Sequence, residues 1–375
     1  MDDTSSAPSA IPAAPSVSRL QPLRDLARGL PHPLNRWARR IGGGAYRLYR
    51  RAQSPGAQSP MIQSSEQIED QAADRQSAKD RVGEVWAAPP EETRNVSWTN
   101  HLNVGLRLNI KATGRMDCEP YAYLKEKLSR DGWSLPVPRA LSLGCGHGFL
   151  ERGLVVMGIA DRVDGIDLSA GAIAEARRIV AETPLHRHIE YHVADLESAA
   201  FPEGAFDMVF AHHSMHHIED LEGLCVAVRR ALRPGGIFHL NEFVGPDRFQ
   251  WTDAQLDHLN AFCEALPERY RRLASGQVRP PVVRPTIPQM IAADPSEAIR
   301  SSAIIETVRR HFRVVELREL GGALLHVGLT GIIHNFDLEV AEDNAHLQAF
   351  FDLEDRLMAE GVIGSDFITL TAVSD

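Results

Sequence analysis

Four histidines fall within six residues in Ala211-His212-His213-Ser214-Met215-His216-His217-Ile218, and a carboxylate, Glu242, follows the stretch IFHLN. A near-neutral imidazole is suited to taking a proton at physiological pH. His213 and His216 are therefore candidates for a general base or an acceptor-orienting group. Glu242 is a second candidate, as a base or as a clamp on hydroxyls or amines. The plainer alternative is that these side chains pack and cap a turn. His212 and His216, like His213 and His217, stand four residues apart, a spacing that on a helix can recruit a metal. No third ligand accompanies them at a fitting spacing, so no metal is expected.

Upstream, Leu143-Gly144-Cys145-Gly146-His147-Gly148 presents nearly bare peptide at the expected start of a helix, where a ligand can lie against the backbone. A turn of this kind serves dinucleotide cofactors as well as others. Asp167, in VDGIDLS, follows roughly 20 residues on, where a carboxylate can accept from two ribose hydroxyls. Asp195, in HVADLES, is placed to receive an adenine amino group while Leu196 supplies a backbone donor, and a dinucleotide site has less use for it. Cys145 needs no role beyond being small.

These residues require strand ends to hold them. Short apolar runs alternate with helical periods, as in a parallel sheet. Strands are expected at 139–143, 162–166, 189–193, 207–211, 236–241, 312–320 and 367–373, with helices at 148–158, 169–181 and 219–232. The expected fold is α/β, a doubly wound, Rossmann-like, seven-stranded and mostly parallel sheet. Helical insertions at 245–310 and 321–361, after the fifth and sixth strands, build the substrate side. The WTNH stretch from Trp98 to His101 and a helix at 121–130 suit a lid. In the first insertion Trp251, Phe262 and Tyr270, with Arg269, Arg271 and Arg272, either line an aromatic, partly basic pocket or form core and solvated face. Asp294-Pro295-Ser296-Glu297 reads as a helix start, and ALLHVGLTGIIHNF as a buried helix carrying His326 and Asn335 as polar contacts.

The chain of 375 residues has a net charge of -10, unevenly distributed. Residues 1–51 hold nine arginines against three aspartates, which leaves 31 basic and 47 acidic residues beyond them. An acidic body lacks the basic stripe that nucleic acid requires, so no nucleic-acid partner is expected. No apolar run approaches the roughly 18 residues of a membrane span. The four cysteines lack CxxC spacing, which fits a reducing, cytoplasmic setting. Residues 1–84 read as a disordered, basic tail and linker, and 85–375 as the folded body. Within the tail, Arg-rich residues 19–51 suit a peripheral contact at the inner membrane surface or with a protein, or else a solvated arm.

Taken together, LSLGCGHG, VDGIDLS, VADLE, FDMVFAHHSMHHI and LRPGGIFHLNE resemble the class I S-adenosylmethionine-dependent methyltransferases, over residues 139–242. The resemblance implies S-adenosyl-L-methionine as cofactor. Gly144, Cys145, Gly146 and Gly148 would surround its methionine part, Asp167 and Leu168 its ribose and adenine, Asp195 and Leu196 its adenine, and the backbone at Ala211 and His212 its sulfonium. Further stretches, WTNH, NEFVGPDRFQWTD and ADPSEAIRSS, look like a bacterial stand-alone subgroup encoded near glycan-assembly enzymes. The expected activity is methyl transfer to oxygen or nitrogen of a small-molecule or glycan-type acceptor. The alternatives are an NAD(P)-dependent oxidoreductase and a non-catalytic cofactor-binding regulatory or scaffold protein.

Overall fold

A computed structural model describes residues 79–83 and 97–375. The Arg-rich stretch 19–51 and the expected start of the body near residue 85 lie outside the described residues.

Seven strands form one sheet: β1 Val137–Leu143, β2 Ala160–Asp167, β3 Ile189–Val193, β4 Phe206–His212, β5 Leu232–Phe243, β6 Arg313–Gly321 and β7 Phe367–Val373. Their order is β3-β2-β1-β4-β5-β7-β6. The first five run parallel, whereas β7 pairs antiparallel with both β5 and β6. Every expected strand is present to within a few residues. The central strands are legible because a parallel strand is covered on both faces and reads as a largely apolar run; Met208 through Ala211 are apolar and buried. Strand β6 is half exposed and carries Arg313, Glu316, Arg318 and Glu319, charges that blunt a sheet edge.

The helices are α1 Leu102–Thr113, α2 Pro120–Arg130, α3 Phe149–Val156, α4 Ala170–Ala181, α5 Leu221–Ala231, α6 Asp253–Ala265, α7 Ile287–Ala293, α8 Ile304–His311, α9 Leu325–Leu329 and α10 Ala341–Ala359. One face of the sheet packs Val209, Ala211, Phe238 and Leu240 against Leu224 and Val228 of α5 and Ile304 and Val308 of α8. Alternate residues point the other way: Phe210 and His239 meet Tyr121 of α2. A second core joins α6, α9 and α10 to the carboxyl end of β5 and the start of β7 through Leu259, Leu325, Leu329, Phe350, Phe243 and Phe367. The insertions after β5 and β6 are therefore one helical cap over the end of the sheet where parallel-strand sites lie.

Two local expectations fail. The helix expected at 294 is a turn, in which Asp294 Oδ1 accepts from the Ser296 backbone N–H and hydroxyl, both at 2.7 Å. Ala298 then sits at φ 49°, a left-handed conformation that a helix cannot continue through. Helix starts instead at Ile304. The run ALLHVGLTGIIHNF holds a five-residue helix, Leu325–Leu329, and a short 3-10 turn, Ile333–Asn335, separated by Gly331 at φ 85°.

Candidate active site

Strand β1 ends in a loop whose glycines at 144, 146 and 148 have φ of 65°, 51° and 72°. This is the left-handed region that side chains resist. Two of them also lack room for a side chain. A Cβ on Gly144 would come 2.4 Å from Cβ of Ser214, and one on Gly148 would come 2.1 Å from the Tyr191 hydroxyl oxygen. The loop thus packs directly against the turn after β4 on one side and against β3 on the other.

Asp167, at the end of β2, fastens the loop from below. Its Oδ2 accepts from Gly146 N–H at 2.7 Å and its Oδ1 from Ser169 N–H at 2.8 Å. Burial raises its pKa, and these two bonds offset part of that rise. Each oxygen keeps a lone pair, which is what a ribose diol requires. Asp195, beyond β3, accepts from Glu197 N–H at 3.1 Å and pairs with Lys79, whose ammonium also lies 3.4 Å from Glu197. The same short helical turn, 79–83, receives the Ser169 hydroxyl on the Gly83 carbonyl at 2.8 Å. Leu196 is buried in the same apolar cluster as Ile166. Cys145 is not poised as a nucleophile, because burial pushes its thiol well above the ordinary range.

At the end of β4 the histidines separate into different environments. His212 Nδ1 meets the Tyr121 hydroxyl at 2.8 Å, and burial lowers its pKa to about 4. His213 takes φ 52°, rare for a residue with a side chain, while its N–H donates to the Asn241 carbonyl at 2.9 Å. Its Nε2 is buried without a hydrogen-bond partner, and burial pushes its pKa well below 6.5, so the ring is neutral. His216 and His217 occupy a 3-10 turn, Met215–His217, so the spacing of four does not stack imidazoles on a helix face.

Glu242, at the end of β5, is wholly enclosed. Its Oε2 accepts from Ser214 and Met215 N–H at 2.8 and 2.7 Å, and its Oε1 from Phe243 N–H at 2.7 Å and His216 Nδ1 at 2.5 Å. Burial alone would raise its pKa; the His216 cation and these donors bring it down to about 2. Burial would likewise lower His216, but Glu242 raises it to about 8. All four carboxylate acceptor positions are used, which leaves none for an acceptor molecule. His216 Nε2 faces Glu297 at 3.5 Å. His216, His217 and Glu297 come within 4.8 Å of one another, yet a cationic His216 has no lone pair for a metal.

The far wall is aromatic. Phe367 lies 5.7 Å from the ring of His213, 5.2 Å from His326 and 5.4 Å from Trp98. Trp98 Nε1 and His326 Nδ1 are, like His213 Nε2, buried without a hydrogen-bond partner. Trp98 comes from the expected lid stretch, and Phe243, Phe249 and Trp251 continue the wall. The other aromatic and basic residues of the insertion serve the cap. Tyr270 is buried with its hydroxyl on Asp343 at 2.5 Å, Arg269 pairs with Glu342 and Asp343, and Arg272 pairs with Glu268. Asn335 ties down the Tyr270 and Arg272 carbonyls.

Sequence reasoning did not single out Lys79, nor Trp98 as a wall residue.

A family model described as a methyltransferase domain matches residues 141–240, the stretch from β1 to β5 that holds the loop, both aspartates and the histidine turn. That stretch is similar to the methyltransferase domain family, as the resemblance of the sequence to the class I S-adenosylmethionine-dependent methyltransferases implied. The glycine cradle and the half-used Asp167 fit S-adenosylmethionine, the cofactor that the sequence resemblance implies. Among relatives of this methyltransferase domain, a sterol 24-C-methyltransferase of Gibberella zeae is 29% identical over 120 residues, 32% of this chain and 31% of that protein. A malonyl-[acyl-carrier protein] O-methyltransferase of Legionella pneumophila is 30% identical over 132 residues, 34% and 45% of the two chains. The match thus spans less than half the length of these relatives. A solved structure, the geranyl diphosphate C-methyltransferase of Streptomyces coelicolor A3(2), aligns with TM-score 0.46 at 15% identity over 80% of this chain and 98% of that one. No helix among the described residues is long and apolar enough to cross a membrane.

Proposed function

We propose that this protein transfers a methyl group from S-adenosylmethionine to an oxygen or nitrogen of a small-molecule acceptor held between His213 and the aromatic wall. The observation that carries the reading is the set of three buried, unpartnered nitrogens, on His213, His326 and Trp98, arranged around Phe367. An unpaired buried polar group costs about 1–3 kcal/mol, and an acceptor with an apolar body and polar edge would relieve that cost.

When bound, the cofactor supplies an already activated methyl. Asp167 orients the ribose, and Asp195 the adenine. The loop at Gly144 to Gly148 would hold the methionine part. His213, neutral and with an open Nε2, takes the proton from an acceptor hydroxyl or ammonium and orients its lone pair. Glu242 acts on this step indirectly, by fixing the turn that carries His213. His216 is its counter-ion.

A second reading is methylation at carbon. Phe243, Phe249, Trp251 and Phe367 would favour a cationic or extended apolar acceptor through their ring faces, and the sterol relative by its name acts at carbon. A polar, glycan-type acceptor is less well matched to that wall. The deciding experiment incubates the protein with methyl-labelled cofactor and fractionated small-molecule extracts, then locates the label by mass spectrometry and carbon NMR. Label on O or N supports the first reading, label on carbon the second, and no labelled product overturns both.

A further inference from the structure

Strands β2 and β3 pair at one edge of the sheet, with Asp164 directly across from Glu190. One face of this pair is closed, since Ile189 and Tyr191 pack on Ile173, Ala176 and Val180 of α4. The other face carries Glu190 and His192, two residues apart on the same side of β3, and both are exposed. Like charges set across from one another in a ladder are destabilising, so the facing of Asp164 and Glu190 has a cost that a cation between them removes. His192 Nε2 stands 3.5 Å from Asp164 Oδ1 and 3.9 Å from Glu190 Oε2. These separations are long for hydrogen bonds. They are near the roughly 3.4 Å between two ligands that share one tetrahedral ion at about 2.1 Å. The three donor atoms all lie within 4.8 Å of one another. Asp164 is also held in place: it is buried, Arg139 Nε donates to its Oδ2 at 2.7 Å, and the Arg139 guanidinium lies over the Phe206 ring at 4.9 Å. A carboxylate anchored through one oxygen presents the other in a fixed direction, the support that metal ligands receive from their neighbours.

We propose that Asp164, Glu190 and His192 bind a divalent transition-metal ion such as zinc at the open edge of the sheet, with water completing its coordination. One imidazole and two carboxylates suit zinc better than the hard cations, which prefer oxygen alone. The site is separate from the glycine loop and the aromatic wall, and it does not rest on the methyltransferase reading. Its ion would clip β3 to β2, the strands that lead to Asp195 and end in Asp167. The role is structural.

The test titrates zinc chloride into the chelator-washed, untagged full chain at neutral pH and follows it by calorimetry and thermal unfolding, on wild type, His192→Gln and Glu190→Gln. Cobalt chloride, followed by visible absorption, reports the geometry of the same site. Each substitution should weaken zinc binding by at least about 10-fold. Zinc should raise the Tm of wild type and leave both variants unmoved. Because both side chains are exposed, the metal-free variants should fold as wild type does, and Glu190→Gln should match or exceed its Tm once the facing like charge is gone. A wild-type chain that gives no isotherm overturns the assignment, and so does binding that is unchanged in either variant.

Discussion

Glu242 and His216 meet at 2.5 Å inside the turn that follows β4, and the other three acceptor positions of the same carboxylate take the N–H groups of Ser214, Met215 and Phe243. One side chain from β5 thereby dictates the backbone path of the residues after His213. A strained φ persists only where the surroundings over-determine it, and this carboxylate does so for His213.

Glu242→Gln should therefore destabilise the protein by about 3–5 kcal/mol, since it strands a buried cation and turns an acceptor into a donor facing N–H groups. Urea unfolding measures it. The double variant with His216→Gln should recover part of the loss, and additive losses would show that the two groups are not coupled.

The pair also sets a pH window. His216 has its pKa raised from 6.5 to about 8, so its contribution is complete below about 6.5 and is lost as pH rises through about 8. Glu242 has its pKa lowered from 4.5 to about 2, so its contribution is present above about 4.5 and is lost as pH falls through about 2. The stability gap between wild type and His216→Gln should be largest from about pH 4.5 to 6.5 and narrow by about 2 kcal/mol toward pH 9. A gap that widens above pH 8 contradicts the assignment.

His213→Ala should lower turnover on an identified oxygen or nitrogen acceptor by about 10²- to 10⁴-fold with the affinity for S-adenosylhomocysteine nearly unchanged. Because His213 is neutral and its pKa is depressed, no fall in rate should track an imidazole titration between pH 6 and 8. Single-turnover rates across that range decide it, and wild-type rates in the alanine variant would remove His213 from the chemistry.

Gly144→Ala should abolish cofactor binding, because its Cβ would fall 2.4 Å from Cβ of Ser214 and φ is 65°. Adding Ser214→Gly removes the collision but leaves the left-handed strain of roughly 1–2 kcal/mol. Binding should return in part, and calorimetry that finds no recovery would place the obstruction elsewhere.

The sheet was legible because burial on both faces writes Met208 to Ala211 as an apolar run and leaves Leu141 and Leu143 apolar, and because Asp167 and Asp195 punctuate strand ends. The histidine turn was legible as a cluster but not as separate roles. Sequence spacing does not say that β5 lies beside β4, and only that adjacency lets Glu242 close on Ser214, Met215 and His216. Lys79 was invisible as a partner of Asp195 because 116 positions separate them. The turn at Asp294 mimicked a helix start, since an aspartate that caps a helix and one that closes a tight turn use the same oxygen on the same kind of N–H.

Strand β7 threads antiparallel between β5 and β6, so the sheet is finished from the inside. On the ribosome, β5 and β6 emerge long before residues 367–373 and must wait with an unfilled slot between them. Their inner edges offer unpaired N–H and C=O groups to any passing strand. A nascent chain stalled ahead of Phe367 should thus be a target for chaperones, although every residue of the cofactor cradle has already been made.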